Sequence, residues 1–240
     1  MIVSTKAIVL SKIKYKDHDL IIKCYTQNFG VISYLVRHAL KTRKGKFKPA
    51  YFQPLSLLEI EADHKENRSL QYLRDIKLNV YYNSLHTNVI KSTIAMFLSE
   101  ILSCILIEEE KNETLYSFLE TTMIWFDETK TNTNFHLLFL IQLTKYLGFY
   151  PESPKTATHK YFNLEEGKFQ NTKTNMYCIT GDNLTILKKF LGIKFDDSKS
   201  LEITSSQKRD FLSMILLYFK LHLDGFKHPR SISILNQVFS

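Results

Sequence analysis

The chain has 240 residues, of which 44% are hydrophobic and 23% are charged, and its formal net charge is +8. Only 7 glycines and 5 prolines are present, which excludes collagen-like and linker-dominated chains. Cys24, Cys104 and Cys178 form no CxxC pair, so neither a disulfide framework nor a cysteine-built zinc site is indicated. No uncharged apolar stretch reaches the roughly 20 residues of a membrane span, and no signal peptide is recognisable, so we expect a cytoplasmic protein.

The positive charge is concentrated at the start of the chain. Residues 1–80 contain 15 Lys and Arg against 7 Asp and Glu, whereas residues 81–240 contain 17 of each kind. Within the first part, residues 1–48 carry 11 basic and 2 acidic side chains. A positive field confined to one segment attracts polyanions, so this segregation favours a nucleic-acid surface over a merely solubilising one.

The first 80 residues show the pattern of short β-strands. Runs rich in β-branched and aromatic residues are separated by polar or glycine-containing turns, and a long basic connection follows the third run. The predicted strands are residues 5–14, 19–26, 31–39, 55–61 and 69–80. Five short strands in about 75 residues suit a small closed barrel. The oligonucleotide-binding (OB) barrel is the first candidate, although strand number alone does not separate it from an SH3-like barrel.

After residue 81 the apolar residues recur with the period of an α-helix. The predicted helices are residues 89–105, 113–127, 134–147, 182–191 and 205–224, with a short last segment after Pro229. Residues 151–179 are polar and irregular, with a small hairpin predicted around 161–163 and 167–169. The predicted fold is therefore α+β and multidomain: an OB-fold barrel domain over 1–80, then an all-α domain over 81–240 with a hairpin-like insertion at 151–179.

Residues 37–48 form the most informative segment, with six full cations and no acidic residue. Lysine and arginine side chains that meet phosphates release condensed counterions, which favours binding to any sequence. The predicted DNA contacts are Arg37, Lys41, Arg43, Lys44, Lys46 and Lys48, with a second basic cluster at Lys12, Lys14 and Lys16. Tyr34, Phe47 and Tyr51 are candidates for base stacking. A flexible solvated loop is the alternative interpretation of the same segment.

Few arrangements in the sequence could support catalysis. Residues 108–110 are consecutive glutamates, which on a helix project about 100° apart and cannot converge on one metal ion. No HExxH or GxSxG motif and no GxxxxGK[ST] phosphate loop is present. We therefore predict a binding protein rather than an enzyme.

Six short motifs, in order along nearly the whole chain, resemble those of the RecO family of bacterial recombination mediators. Each motif is weak alone, and their shared order makes the resemblance specific. They are AIVL (7–10) with YKDHDLI (15–21), TQNFG (26–30), the basic stretch 37–48, QPL (53–55), LGFYP (147–151), and LHLDG (221–225) followed by RSI (230–232) with shifted spacing.

The resemblance implies an OB-fold barrel that binds single- and double-stranded DNA and anneals complementary strands, followed by a helical domain. It also implies RecR as a partner, contact with the C-terminal tail of the single-strand-binding protein, and help in loading RecA. A location in the bacterial cytoplasm, at the nucleoid and not at a membrane, follows from that role. The basic loop 37–48 would supply the DNA contacts.

The insertion departs from the family. Many members carry a four-cysteine zinc ribbon just after the motif at 147–151, but residues 151–179 retain only Cys178, with His159 as the other soft ligand. Because structural zinc takes four ligands, we predict that the chain holds no zinc and needs no cofactor. Aromatic residues are expected to pack the insertion instead: Tyr161, Phe162, Phe169 and Tyr177.

Two other classes of function stay open at this stage. The first is a non-catalytic adaptor whose basic barrel binds acidic proteins, and such an adaptor would hold its partner in the presence of competing oligonucleotide. The second is a metal-dependent nuclease, against which the missing carboxylate cluster argues.

Overall fold

A computed structural model of the chain describes residues 1–40, 47–65, 67–106, 111–152 and 159–239. By its internal contacts the chain divides into two compact units, Met1–Lys130 and Thr131–Ser240. The first two helices therefore group with the barrel. The division into domains at residue 80 stays a prediction that rests on sequence.

The first unit opens with five strands that close into a barrel. They are β1 (Ile2–Tyr15), β2 (Asp19–Thr26), β3 (Gly30–Val36), β4 (Leu57–Asp63) and β5 (Leu70–Leu78). Their order around the barrel is β1-β2-β3-β5-β4, with β3 and β5 parallel and the other pairs antiparallel. The long β1 pairs with β4 along its first half and with β2 along its second. A five-stranded closed barrel of this kind confirms the predicted OB-like fold.

The turn between β2 and β3 shows how the sequence sets this topology. Gly30 has φ +64°, a left-handed conformation that glycine adopts without a steric penalty. The Thr26 hydroxyl donates to the Gly30 carbonyl at 2.8 Å and accepts from the Phe29 amide at 3.1 Å. The TQNFG motif is thus a turn stabilised by two hydrogen bonds of the Thr26 hydroxyl, one to Gly30 and one to Phe29.

The barrel core comes from alternate residues of the strands. On β2 the inward residues are Leu20, Ile22 and Cys24, and on β3 they are Ile32, Tyr34 and Val36. Because successive strand residues point to opposite faces, the intervening residues point outward. The alternation assigns the faces of β2 and β3 directly, whereas the register of β1 against β2 shifts between Val9 and Ser11.

Two helices complete the first unit: α1 (Val89–Ile105) and α2 (Glu113–Glu128). Each begins at an asparagine whose side chain accepts a hydrogen bond from a backbone amide of the first turn, Asn88 from Lys91 at 3.1 Å and Asn112 from Leu115 at 2.9 Å. Both helices occupy the predicted ranges to within one residue.

The second unit contains the remaining helices and a small sheet. The helices are α3 (Phe135–Tyr146), α4 (Gly181–Phe190), α5 (Ser205–His222) and α6 (Ile232–Val238). The sheet consists of β6 (Tyr161–Asn163), β7 (Lys168–Gln170) and β8 (Cys178–Ile179), in the order β7-β6-β8. The predicted hairpin corresponds to β6 and β7. Across the described residues, no helix combines the length and apolar character needed to cross a membrane.

Candidate nucleic-acid interface

Three of the predicted DNA contacts lie on the hairpin formed by β1 and β2. Lys12 and Lys14 are exposed on β1, opposite Ile22 and Leu20 of β2 respectively. Lys16 is exposed in the turn and has φ +53°. The hairpin therefore presents three ammonium groups within a stretch of five residues.

The structure joins this hairpin to the start of the predicted basic segment. The His38 amide donates to the Asp19 carboxylate at 2.8 Å, and the Leu40 amide donates to the His18 carbonyl at 3.0 Å. Arg37, exposed at the end of β3, is thereby held beside the turn that carries Lys16. The hairpin lysines and Arg37, the first cation of the basic segment, therefore lie at one end of the barrel.

The centre of the basic segment falls outside the described residues. Lys41, Arg43, Lys44 and Lys46 belong to it, so their assignment as DNA contacts stays a prediction. Lys48 is described and is exposed, directly before a short 3-10 helix over Pro49–Phe52.

Two of the rings expected to stack on bases are buried instead. Tyr34 has no exposed surface, lies in the barrel core, and is inward because it pairs with Ile22 of β2. Burial raises the pKa of its phenol well above the ordinary value. Phe47 is 6% exposed and belongs to the same core. Tyr34 is too deeply buried to stack on a base, so that expectation was wrong. Phe47 also lines a depression that Tyr72 borders, and Tyr51 is half-buried against the core, so the roles of these two rings stay predictions.

A different ring, Tyr72 of β5, is placed among the cations. The Arg37 guanidinium lies 4.9 Å from the centre of the Tyr72 ring, and that of Arg68 lies 5.2 Å from it. Both are within cation–π range. Sequence reasoning missed this group because Arg37 and Tyr72 come together only through the parallel pairing of Leu35 with Tyr72. The local sign of this group in the sequence was that an arginine lies four residues before Tyr72 and another lies two residues after it, Arg68 and Arg74.

Arg37, Arg74 and Tyr72 border a depression of about 350 Å³ on the barrel surface, which Asp63 and Phe47 also line. Leu35 and Leu73 supply apolar lining, and Arg74 lies 3.9 Å from the Asp63 carboxylate. An ion pair this long and this exposed contributes little to stability. Flat apolar or aromatic surface surrounded by guanidinium groups suits nucleotides, whose bases stack and whose phosphates are anionic.

Models of one protein family match nearly the whole chain. The model described as Recombination protein O N terminal matches residues 1–82, and the one described as Recombination protein O C terminal matches residues 86–231. The chain belongs to the RecO family. It is 46% identical over 239 residues to the DNA repair protein RecO of Christiangramia forsetii, 43% identical over 240 residues to that of Flavobacterium psychrophilum, and 31% identical over 242 residues to that of Bacteroides fragilis. Each alignment covers 100% of both chains.

Membership of the RecO family gives the chain a role in DNA repair and recombination, and it confirms the resemblance drawn from the sequence motifs. The N-terminal family model ends at residue 82, just after the last barrel strand. The basic end of the barrel therefore lies within the part of the chain that this model matches.

The insertion of this RecO-family chain is held by polar hydrogen bonds and aromatic packing. Asn163 is fully buried, and its amide nitrogen donates to Glu166 at 3.0 Å and to Thr174 at 3.2 Å. The Cys178 sulfur accepts a hydrogen bond from the Gln170 amide at 3.2 Å. The rings of Phe162 and Phe169 lie 4.8 Å apart, centre to centre.

The other soft ligand of the insertion, His159, packs its ring 6.0 Å from that of Phe169. Within the ranges that the structure describes, no group of three or more His, Cys, Asp or Glu side chains is placed to hold a metal ion. Whether the protein is free of zinc stays a prediction.

Proposed function

We propose that this chain is a non-catalytic recombination mediator. The barrel binds single- and double-stranded DNA and anneals complementary strands. With RecR, the protein helps to load RecA onto strands coated by single-strand-binding protein, whose C-terminal tail binds the helical region. The observation that carries the DNA-binding part is the meeting of Lys12, Lys14, Lys16 and Arg37 at one end of the barrel. Membership of the RecO family supports the remainder.

The physical basis of annealing is neutralisation of phosphate charge. Two complementary strands repel each other, and each cation that contacts a phosphate removes part of that repulsion while releasing counterions. The hairpin lysines and the arginines around Tyr72 surround the same barrel end, so one molecule offers cations to more than one segment of DNA. No step in this process needs a nucleophile, a metal ion or a nucleotide cofactor.

A strand-annealing assay tests the proposal directly. Two complementary labelled oligonucleotides are mixed with and without the protein, in chelator and at moderate salt. We expect annealing at least several times faster with the protein, and a rate unchanged by the protein would contradict the proposal. The same strands incubated with Mg²⁺ or Mn²⁺ should remain intact, since cleavage would indicate a nuclease.

A competition experiment separates the mediator from the adaptor. The protein is bound to an acidic model polypeptide, polyglutamate, and single-stranded oligonucleotide is then added. A DNA-binding barrel should release the polypeptide to the oligonucleotide because both use the same cations. Retention of the polypeptide at saturating oligonucleotide would favour an adaptor surface distinct from the DNA surface.

We further propose that the protein folds and acts without zinc. Polar contacts support this, because the Gln170–Cys178 hydrogen bond joins β7 to β8 and Asn163 of β6 holds the connections before and after β7 through Glu166 and Thr174. Metal analysis of the purified protein should find less than about 0.1 zinc per chain, and a strong chelator should leave the melting temperature unchanged. Stoichiometric zinc, or a fall in melting temperature with chelator, would contradict this part of the proposal.

A further inference from the structure

Two carboxylates lie among the cations at the basic end of the barrel. Asp17 and Asp19 are the two acidic residues in positions 1–48, and both belong to the hairpin that carries Lys14 and Lys16. A carboxylate beside a cluster of cations weakens the attraction of that cluster for a polyanion. By charge alone, both residues oppose the proposed DNA binding, which points to a different role for at least one of them.

The Asp19 carboxylate continues the contact between β2 and β3 beyond their last backbone pair. The ladder ends where Leu20 pairs with Val36. Beyond it, Asp19 Oδ1 accepts a hydrogen bond from the His38 amide at 2.8 Å. Aspartate side chains commonly fix the backbone in this way where regular structure ends. Arg37 is therefore held at both of its neighbours, by the ladder on one side and by Asp19 on the other.

The backbone at His38 shows that this contact selects one conformation of the chain. His38 has φ +58°, a left-handed conformation that a residue with a side chain adopts only at a cost. Such a conformation persists where the surrounding contacts hold it. The bond from the His38 amide to Asp19 precedes this φ angle, and the bond from the Leu40 amide to the His18 carbonyl, at 3.0 Å, follows it. Without the Asp19 acceptor, we expect the segment to populate other conformations.

Arg37 is the cation whose placement depends on this conformation. Its guanidinium lies 4.9 Å from the centre of the Tyr72 ring, and its backbone lies beside Asp19, at the start of the strand that follows Lys14 and Lys16. Cations held in a fixed arrangement bind a polyanion more tightly than the same cations on a mobile segment, because less ordering is needed on binding. The hydrogen bond of Asp19 and its charge therefore have opposite effects on DNA affinity.

We propose that Asp19 is a positioning residue of the basic end. Through the His38 amide it holds Arg37 in a fixed relation to the hairpin lysines, and it thereby strengthens DNA binding despite its negative charge. This inference rests on the proposed DNA-binding function and adds to it a residue that acts through Arg37 rather than by contact with DNA.

Substitution separates the two properties of Asp19. Asp19→Ala removes both the charge and the hydrogen-bond acceptor, whereas Asp19→Asn removes the charge and keeps an acceptor oxygen. Each full-length protein is titrated against a labelled DNA duplex by fluorescence anisotropy at one moderate salt concentration. We expect Asp19→Ala to bind about five-fold more weakly than the unaltered protein. Asp19→Asn should bind at least as tightly as the unaltered protein.

Asp17→Ala is the matched control. It removes a carboxylate from the same hairpin and leaves the bond between Asp19 and the His38 amide in place. Loss of one negative charge near the DNA should keep the affinity or raise it by up to about two-fold. A purely electrostatic role of Asp19 would give Asp19→Ala the same result as this control.

Hydrogen exchange provides a measurement on the unaltered protein. In protein labelled with [15N]histidine, the His38 amide should exchange about ten-fold or more slowly than an unprotected amide. The same amide should exchange freely in Asp19→Ala and should keep its protection in Asp19→Asn. This readout reports the hydrogen bond separately from DNA affinity.

The outcomes distinguish the inference from the proposed function. Binding by Asp19→Ala as tight as that of the unaltered protein, or tighter, would overturn the inference because Asp19 would then act only through its charge. An equal loss of affinity in Asp19→Asn or in Asp17→Ala would also overturn it, as would free exchange of the His38 amide in the unaltered protein. Absence of DNA binding by the unaltered protein at low salt would instead overturn the proposed function itself.

Discussion

Lys91 and Lys14 belong to the same compact unit and carry the same charge, yet their surroundings differ completely. Lys91 is 2% exposed, and its ammonium group donates to the Ser84 hydroxyl at 2.7 Å, the Asp127 carbonyl at 2.8 Å and the Thr129 carbonyl at 2.6 Å. Lys14 is exposed on the hairpin. A buried lysine with all three donors engaged stabilises the fold, whereas an exposed one in a cluster of like charge is suited to a ligand.

The buried carboxylate of Asp127 binds the backbone of the segment that precedes α1. Its carboxylate accepts hydrogen bonds from the amides of Asn83 and Ser84 at 2.8 Å and of Leu85 at 2.7 Å. Burial by itself raises the pKa of this carboxyl, but these amide hydrogen bonds and that of the Ser84 hydroxyl outweigh it and hold the pKa below the ordinary value of 3.8. The segment between β5 and α1 is thus fixed to the end of α2.

The largest expected effect is on stability, at the buried lysine. Lys91→Met removes the ammonium and leaves the Ser84 hydroxyl and the carbonyls of Asp127 and Thr129 without it, which should cost about 3 kcal/mol of unfolding free energy. Lys14→Met, the same change on the hairpin, should alter stability by less than about 0.5 kcal/mol. Urea denaturation of both variants checks the comparison, and equal losses would contradict it.

The same network predicts a dependence of stability on pH. Because the folded pKa of Asp127 is depressed, its contribution is fully present above the unfolded pKa of about 4 and is lost as pH falls through the folded value. Asp127→Asn should lower stability at pH 7 by about 2 kcal/mol and flatten the loss between pH 4 and pH 2. Urea denaturation across this pH range is the measurement. A variant with the acid sensitivity of the unaltered protein would show that Asp127 is not responsible.

The exposed cations should affect DNA binding and leave stability unchanged. Lys12→Ala/Lys14→Ala/Lys16→Ala should reduce the log–log slope of single-strand affinity against salt by up to about 2, at about 0.7 per phosphate contact. Lys41→Ala/Arg43→Ala/Lys44→Ala/Lys46→Ala should reduce the number of phosphate contacts by up to about four. Anisotropy titrations at several salt concentrations measure both. An unchanged slope would remove the altered cluster from the interface.

A smaller effect on single-strand affinity is expected for Tyr72, whose ring lies against Arg37 and Arg68. Tyr72→Leu keeps apolar surface but removes the aromatic face, and it should weaken single-strand binding by about five-fold, corresponding to about 1 kcal/mol. Its salt slope should stay the same because no cation is lost. A changed slope with unchanged affinity at low salt would show that Tyr72 acts only by positioning Arg37 and Arg68.

The smallest effect is expected at Tyr34. Within the described residues its hydroxyl is buried without a hydrogen-bond partner. Tyr34→Phe should therefore leave DNA affinity unchanged and should not lower stability, since an unpartnered buried hydroxyl is unfavourable. Anisotropy and urea denaturation test this together. A large loss of DNA affinity would return Tyr34 to the interface.

Sequence reasoning predicted the fold well because the signals were local. Alternation of residues and the turn at Gly30 indicated the barrel strands, and the apolar period of 3.6 indicated the helices. The two-residue strand β8 was missed, since so short a segment has no period to detect. The end of β3 was placed three residues late because Arg37, His38 and Ala39 continue the composition of the strand after its pairing ends.

The site was predicted only in part. The basic clusters were visible as runs of charge, but the rings were chosen by their nearness to the basic segment. The alternation of inward and outward residues along β3 already places Tyr34 with Ile32 and Val36 on the inward face. The contact of Arg37 with Tyr72 depends on the parallel pairing of β3 with β5, which no local pattern reveals.

The most direct test of the account is a salt titration of single-strand binding by the unaltered, full-length protein. A labelled oligonucleotide is titrated by fluorescence anisotropy at four or more salt concentrations, with the hairpin variant Lys12→Ala/Lys14→Ala/Lys16→Ala measured in parallel. We expect tight binding at low salt, a steep loss of affinity as salt rises, and a shallower slope for the variant. No binding at low salt, or parallel slopes for the two proteins, would contradict the assignment of the basic barrel end to DNA.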